Sequence, residues 1–173
     1  MKIVTISGSV RANNNTDKAL KVVENYLIEV GVDVKRIDAK ELTLALPGHS
    51  DTEDSLKIKE WVKDADGIIM ATPEYHGSYS SVIKHIIENL GFPSTLSGKP
   101  LALLGVAMGQ LGAVKSLEHL RSVAAHLGMF VLPKSVSIAG VHEVFDEAGQ
   151  IKDDVLKERI EGLGRALVEF NAR

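Results

Sequence analysis

The chain reads as an α/β protein: a doubly wound sheet of five parallel strands with helices on both faces. Three observations predict it. Short apolar runs alternate with amphipathic stretches along all 173 residues, the runs at 67–71 and 101–106 stay apolar without alternation, and a glycine closes three of the amphipathic stretches. Continuous apolar runs are the mark of strands covered on both faces, and glycine is the usual residue just past a helix end. Because strand-helix-strand crossovers are nearly always right-handed, such an alternation folds into a parallel sheet with helices on each side.

Each element follows in order. Ile3 to Ile6 is the opening strand. Leu20, Val23, Leu27 and Val30 mark one face of the first helix, which Gly31 ends where a left-handed residue costs least. Val32, Val34 and Ile37 interleave with charges, the pattern of a strand near a sheet edge. Ile58, Trp61, Val62 and Ala65 stripe the second helix and place the single tryptophan in the core. Gly67 to Ala71 reads as a central strand. Val82, Ile83, Ile86, Ile87 and Leu90 give the third helix, stopped by Gly91 and Pro93, and Leu101 to Val106 is the next buried strand. Val114, Leu117, Leu120, Ala124 and Leu127 form the fourth helix, and Phe130 to Ile138 the last strand, whose Pro133 is best tolerated at an edge. Leu156, Ile160, Leu163, Leu167 and Phe170 close the chain with a fifth helix. No repeat, linker or low-complexity tract interrupts this order, so residues 1–173 are expected to form one domain.

Composition removes several function classes. Hydrophobic residues make up 45% and charged residues 25%, ordinary values for a soluble globular protein. No apolar run is long enough to span a bilayer and no charged-then-apolar leader stands at Met1, so a cytoplasmic protein without a membrane partner is expected. A net charge of -3 offers no basic excess to neutralise a nucleic-acid backbone, and no nucleic-acid partner is expected. The absence of cysteine excludes disulfides, thiol redox chemistry and thiolate metal sites, so any redox activity must come from a borrowed cofactor. His119 and His126 fall seven apart on one helix without a carboxylate pair nearby, and no metal site is expected.

In a sheet of this kind ligands bind beyond the carboxyl ends of the strands, beside the point where strand order reverses. Three loops leave those ends near the centre: Ser7 to Asn15, Thr72 to Ser81 and Ala107 to Ala113. The first joins a strand to a helix N-terminus, where unpaired backbone N–H groups and the positive end of the helix dipole favour an anion. Ser9 and Thr16 can add hydroxyls, Asn14 or Asn15 an amide, and Arg11 a permanent forked charge suited to phosphate oxygens. The second loop combines the rigid Pro73, Glu74, the planar Tyr75, His76 and Gly77, a set that suits a flat ring held by backbone amides. In the third, Gly109 and Gly112 allow close backbone approach just before a helix, and its N–H groups can meet an electron-rich ring edge.

Ser-Gly-Ser-x-Arg-x-x-Asn-x-Thr over 7–16, Pro-Glu-Tyr-His-Gly-Ser over 73–78 with Ile83-Lys84 after it, and the glycine loop before Leu117-Glu118-His119-Leu120-Arg121 together resemble the NAD(P)H-dependent FMN reductase family. The likeness covers nearly the whole chain. It implies a flavodoxin-like fold, bound FMN, NADPH or NADH as co-substrate, and a small-molecule acceptor such as a quinone, azo compound, nitroaromatic, chromate or free flavin. By position it assigns Ser9, Arg11 and Thr16 to the FMN phosphate, Pro73 to Gly77 to the isoalloxazine, and Ala107, Met108 and Gly109 to its pyrimidine side. The sequence departs from the family pattern at Asn14, where many members carry Ser, and at Ala107-Met108 and Gln110, which replace a loop of smaller residues. The resemblance also implies a homodimer or homotetramer, to which the third and fourth helices are the candidate contributors, with Lys84 and Arg121 tilted toward the interface.

The mechanism so implied is ping-pong: hydride passes from nicotinamide to flavin, the nicotinamide leaves, and an acceptor takes its place and receives two electrons. No protein group is assigned a catalytic role, since hydride transfer to a flavin needs no protein base at the reacting carbon. The alternative is a flavodoxin-type electron carrier that is not an enzyme, a class that is strongly acidic with a Thr-rich, arginine-free phosphate loop, unlike this near-neutral chain with Arg11. Other assignments fail on missing motifs. There is no Gly-x-x-x-x-Gly-Lys-Ser/Thr, no Gly-x-Gly-x-x-Gly after the first strand, no Gly-x-Ser-x-Gly and no His-Glu-x-x-His.

Overall fold

The structure, a computed structural model, describes residues 1–172. Its elements run β1 (Lys2–Ser7), α1 (Asn15–Glu29), β2 (Asp33–Asp38), α2 (Glu53–Asp64), β3 (Gly67–Tyr75), β4 (Ser78–Tyr79), α3 (Ser81–Asn89), β5 (Pro100–Val106), α4 (Val114–His126), β6 (Phe130–Ile138) and α5 (Asp154–Asn171). The five long strands pair in parallel in the order β2-β1-β3-β5-β6, with β4 attached to β3 as an antiparallel hairpin. Strand order reverses between β1 and β3, where the chain goes out to the β2 edge and returns, and the two central strand ends part there into different loops.

Period-two alternation divides the sheet between two cores. Ile69 and Ala71 of β3 face α1 and α5 with Leu20, Val23, Leu27, Ile160, Leu163 and Leu167. Ile68 and Met70 face α2, α3 and α4 with Ile58, Val62, Ile83, Ile86, Leu117 and Leu120. Five long parallel strands and five helices in alternation are the flavodoxin-like arrangement that the sequence predicts. Among the described residues no helix is long and apolar enough to cross a membrane.

Three details differ from the sequence reading, at β3, Trp61 and Val30. β3 does not stop at Ala71 but continues to Tyr75, and His76 and Gly77, with φ of 51° and 74°, form the two-residue turn to β4. Positive φ at both central positions is the type I′ geometry that matches strand twist. Pro73 is tolerated because the Ala71 carbonyl accepts the Gly8 N–H on the β1 side at 2.7 Å, so two residues later the missing N–H also points that way, past the end of β1. Trp61 is half-buried at the rim of α2, with the ammonium groups of Lys57 and Lys35 at 4.9 and 5.5 Å from its ring centre. Val30 is the exposed cap residue of α1, not part of its buried stripe. Arg121 donates to the carbonyls of Leu132 and Pro133 at 3.1 and 3.4 Å, fastening α4 to the irregular stretch of β6, while Lys84 pairs with Glu88 on its own helix.

Candidate functional site

A cleft of about 390 Å³ opens at the carboxyl ends of β1, β3 and β5. Small-molecule sites commonly enclose about 300–1,000 Å³. Its walls carry Ser9, Arg11, Asn14, Asn15 and Thr16 from the first loop, Pro73, Glu74 and Tyr75 from β3, and Ala107 and Met108 after β5. Ten of the residues singled out in the sequence therefore meet in one place. His76, Gly77 and Gly109 do not line it: the first two form the hairpin turn beyond Tyr75, and Gly109 lies past the rim.

The first wall is rich in unengaged donors. The backbone N–H groups from Ala12 to Thr16 find no acceptor among the described residues, since Gly8, Ser9 and Arg11 donate inward and the next helical N–H, that of Asp17, goes to Asn14 Oδ1 at 2.8 Å. Asn13 holds a left-handed φ of 48°, which folds these consecutive N–H groups into a concavity of the kind that binds anions. Arg11 is exposed and forms no ion pair among the described residues. Gly8 is needed at the entry: a Cβ there would meet the Ala71 carbonyl at 2.7 Å and Ile83 Cγ1 at 2.8 Å.

Asn14 has a different task from the one its amide first invites. Its Nδ2 donates to the Arg11 carbonyl at 2.6 Å and to Asp17 Oδ2 at 2.7 Å, so this side chain shapes the loop and caps α1. Asp17 turns its carboxylate away from the cleft, to Ser7 Oγ at 2.5 Å and Lys40 Nζ at 2.6 Å. Burial alone would raise its pKa, but hydrogen bonds from Lys40, Ser7 and Asn14 outweigh that and hold it below the ordinary carboxylate value.

The opposite wall is closed more tightly. Glu74 Oε2 accepts the Ser116 N–H at 3.1 Å, giving α4 a carboxylate cap that its own N-cap residue, Ala113, does not supply. The Ala107 N–H goes to the Ile138 carbonyl at 2.9 Å, Gly112 N–H to the Gly109 carbonyl at 3.2 Å, and Ala113 N–H to Ser137 Oγ at 2.8 Å. Free donors in this loop are therefore confined to Met108 to Leu111, narrower than the sequence implies. Tyr75 and Met108 expose 43% and 64% of their surface, enough apolar area on the rim to meet a flat ring.

The sequence reading missed the loop after β6. Val141 and His142 also line the cleft, because Val141 N–H donates to the Ala107 carbonyl at 3.0 Å and Gly140 N–H to the Gly109 carbonyl at 3.3 Å. The signal available was Ala139-Gly140 at the carboxyl end of a strand predicted to lie at the sheet edge.

The sequence pattern of the NADPH-dependent FMN reductase family matches residues 1–143. The chain belongs to this family. An NAD(P)H-dependent FMN reductase of Pseudomonas aeruginosa is 29% identical over 177 residues, covering 96% of this chain and 93% of its own. An NADPH azoreductase of Bacillus sp. strain OY1-2 is 33% identical over 165 residues, covering 91% and 90%. Among solved structures, the flavoenzyme NAD(P)H:(acceptor) oxidoreductase FerB of Paracoccus denitrificans shares the fold at a TM-score of 0.81 and 22% identity, over 99% of this chain and 97% of that one. A flavodoxin from the domain Archaea also superimposes, at a TM-score of 0.71 and 15% identity over both whole chains. The fold is thus common to reductases and carriers, and family membership makes this FMN reductase relative an FMN-dependent NAD(P)H oxidoreductase.

Proposed function

We propose that the cleft holds FMN with its phosphate against the Ala12–Thr16 donors and its ring between the Pro73–Tyr75 strand end and Ala107–Met108, and that one open face serves first NAD(P)H and then a small acceptor. The observation that carries this reading is the run of five unengaged N–H groups beside an unpaired arginine. Open donors at a helix N-terminus are met by water or by an anion, and their concave arrangement beside Arg11 favours the anion. Bound FMN supplies the redox chemistry, taking a hydride from the nicotinamide and delivering two electrons to the acceptor.

The protein's part is position and field. Ser9 and Thr16, both almost fully buried, set hydroxyls at the foot of the donor row, and Arg11 adds an exposed charge at its mouth. Pro73 and Val106 pair across the sheet and form the floor, so the cleft cannot deepen without breaking the β3–β5 ladder. The free N–H groups from Met108 to Leu111 stand ready to stabilise negative charge on a reduced ring edge. Glu74 is engaged as a helix cap, which supports assigning it no proton-transfer role. The acceptor class included in this reading is a quinone, azo compound, nitroaromatic, chromate or free flavin.

Self-association belongs to the same proposal. Phe92 is fully exposed beside a groove formed by Ile87 of α3, Val123 of α4 and Leu127 just past its end, a face that a second copy of the chain would cover in a homodimer or homotetramer.

The test is anaerobic. The FMN-loaded protein is mixed with NADPH or NADH, loss of the oxidised flavin's visible absorbance is followed, and quinone, azo dye and chromate are then added in steady state. Direct bleaching without a partner reductase and parallel double-reciprocal lines are expected. A flavin that stays oxidised, or lines that converge, would contradict the reading.

A further inference from the structure

Behind the donor row lies a charged layer that the family motif does not contain. Three carboxylates there share two cations. Asp17 meets Lys40 Nζ at 2.6 Å and Lys40 also reaches Asp38 at 3.1 Å. Arg36 forks onto Glu24 at 2.9 and 2.6 Å and lies 3.7 Å from Asp17, and the Thr5 hydroxyl donates to Glu24 at 2.5 Å. Lys40 comes from the turn after β2, 23 residues beyond its partner.

The placement of Asp17 is unusual for a phosphate site. Its carboxylate sits one hydrogen bond behind Asn14, a residue of the cleft wall, through a contact of 2.7 Å. An unneutralised carboxylate there would oppose a phosphate, because like charges at short range in partly buried surroundings repel strongly. Yet the same carboxylate holds both Ser7 and Asn14 and so fixes the loop. A cation on its far side reconciles the two demands.

We propose that Lys40 is a positioning residue of the phosphate site: its pairing with Asp17 offsets the charge that would repel the phosphate while Asp17 acts as a hydrogen-bonding brace for the loop. This inference rests on the FMN reading given above and deepens it. The two groups reinforce each other's charge. The hydrogen bond to Asp17 holds the Lys40 ammonium above its usual pKa, and the lowered pKa of Asp17 keeps its carboxyl ionised. Arg36 offsets Asp17 less than Lys40 does, since its fork is closed on Glu24. Its remaining nitrogen is more than 1 Å farther from Asp17 than the lysine is, at 3.7 against 2.6 Å.

A double-mutant cycle with two ligands tests it. Apo protein carrying Lys40→Met, Asp17→Asn or both is titrated with FMN and with riboflavin, which lacks the phosphate, and binding is read from flavin fluorescence. Lys40→Met is expected to weaken FMN about tenfold, an effect of about 1.4 kcal/mol, with riboflavin unchanged. Asp17→Asn keeps an oxygen for Ser7 but loses the Asn14 contact, so it is expected to weaken FMN and riboflavin alike, by about threefold. The double variant is expected to regain most of the FMN-specific loss. The inference is overturned if Lys40→Met binds FMN like wild type, if it weakens FMN and riboflavin equally, or if Asp17→Asn fails to rescue it. Equal affinity of the wild-type protein for FMN and riboflavin is a separate outcome, and it overturns the phosphate reading itself.

Discussion

Two helices follow loops that line the same cleft, and their N-termini are finished in different ways. At α1 the acidic residue of the first turn, Asp17, faces backward into Ser7 and Lys40, and the N–H groups from Ala12 to Thr16 stay open. At α4 an acidic residue from another element, Glu74, is brought in to meet the Ser116 N–H, and Ser137 takes the Ala113 N–H. Both ends carry the same partial positive charge. At α4 the protein supplies acceptors for two of the N–H groups, and at α1 five consecutive N–H groups stay open. On the proposed reading, the end that receives no anion from the chain is the one that binds the phosphate.

The contrast makes unequal predictions for substitutions at the two ends. The largest effect is expected for Arg11→Ala, which removes the unpaired cation beside the open end. Loss of one charge-assisted contact corresponds to about 1.5–3 kcal/mol, or roughly 10- to 150-fold in FMN affinity. Excess FMN should restore turnover, and dialysis followed by flavin quantification checks retention. A variant that keeps FMN as tightly as wild type would show that the open end is not where the phosphate goes.

Glu74→Ala should act on the fold. Uncapping α4 is expected to cost about 1 kcal/mol of stability, read as a lower thermal midpoint, and to change FMN and riboflavin binding by the same factor. A loss specific to FMN would break the distinction between the two ends.

The smallest effect concerns acid. The Asp17 carboxyl lies below its ordinary value of 3.8 in the folded protein, so the stability it contributes is fully present above that value and is lost as pH falls through the folded pKa. The stability difference between wild type and Asp17→Asn should therefore shrink in chemical denaturation as pH drops below about 3.8. A difference that is constant across this range would mean that Asp17 is not ionised in its network.

Most of the sheet was legible in the sequence because its signals are local. Uninterrupted apolar runs such as 67–71 and 101–106 mark strands covered on both faces, and Gly31, Gly91 and Gly128 mark helix ends. The extension of β3 to Tyr75 was hidden, since Pro73 reads as a breaker until the position of Ala71 beside Gly8 shows that its missing N–H has no partner to lose. At the site, Ser9, Arg11 and Thr16 were legible from the strand-to-helix junction alone. The pairing of Asp17 with Lys40 joins segments 23 residues apart, and the approach of His142 depends on backbone bonds between the β5 and β6 loops. Such pairings between distant segments leave no periodic trace in a sequence.

The central claim, that the open N-terminus of α1 receives a phosphate, is tested most directly by titrating the apo protein with FMN and with riboflavin side by side. FMN is expected to bind at least about 100-fold more tightly, the sum of the arginine and the backbone donors acting on the phosphate alone. Equal affinities for the two flavins would contradict it.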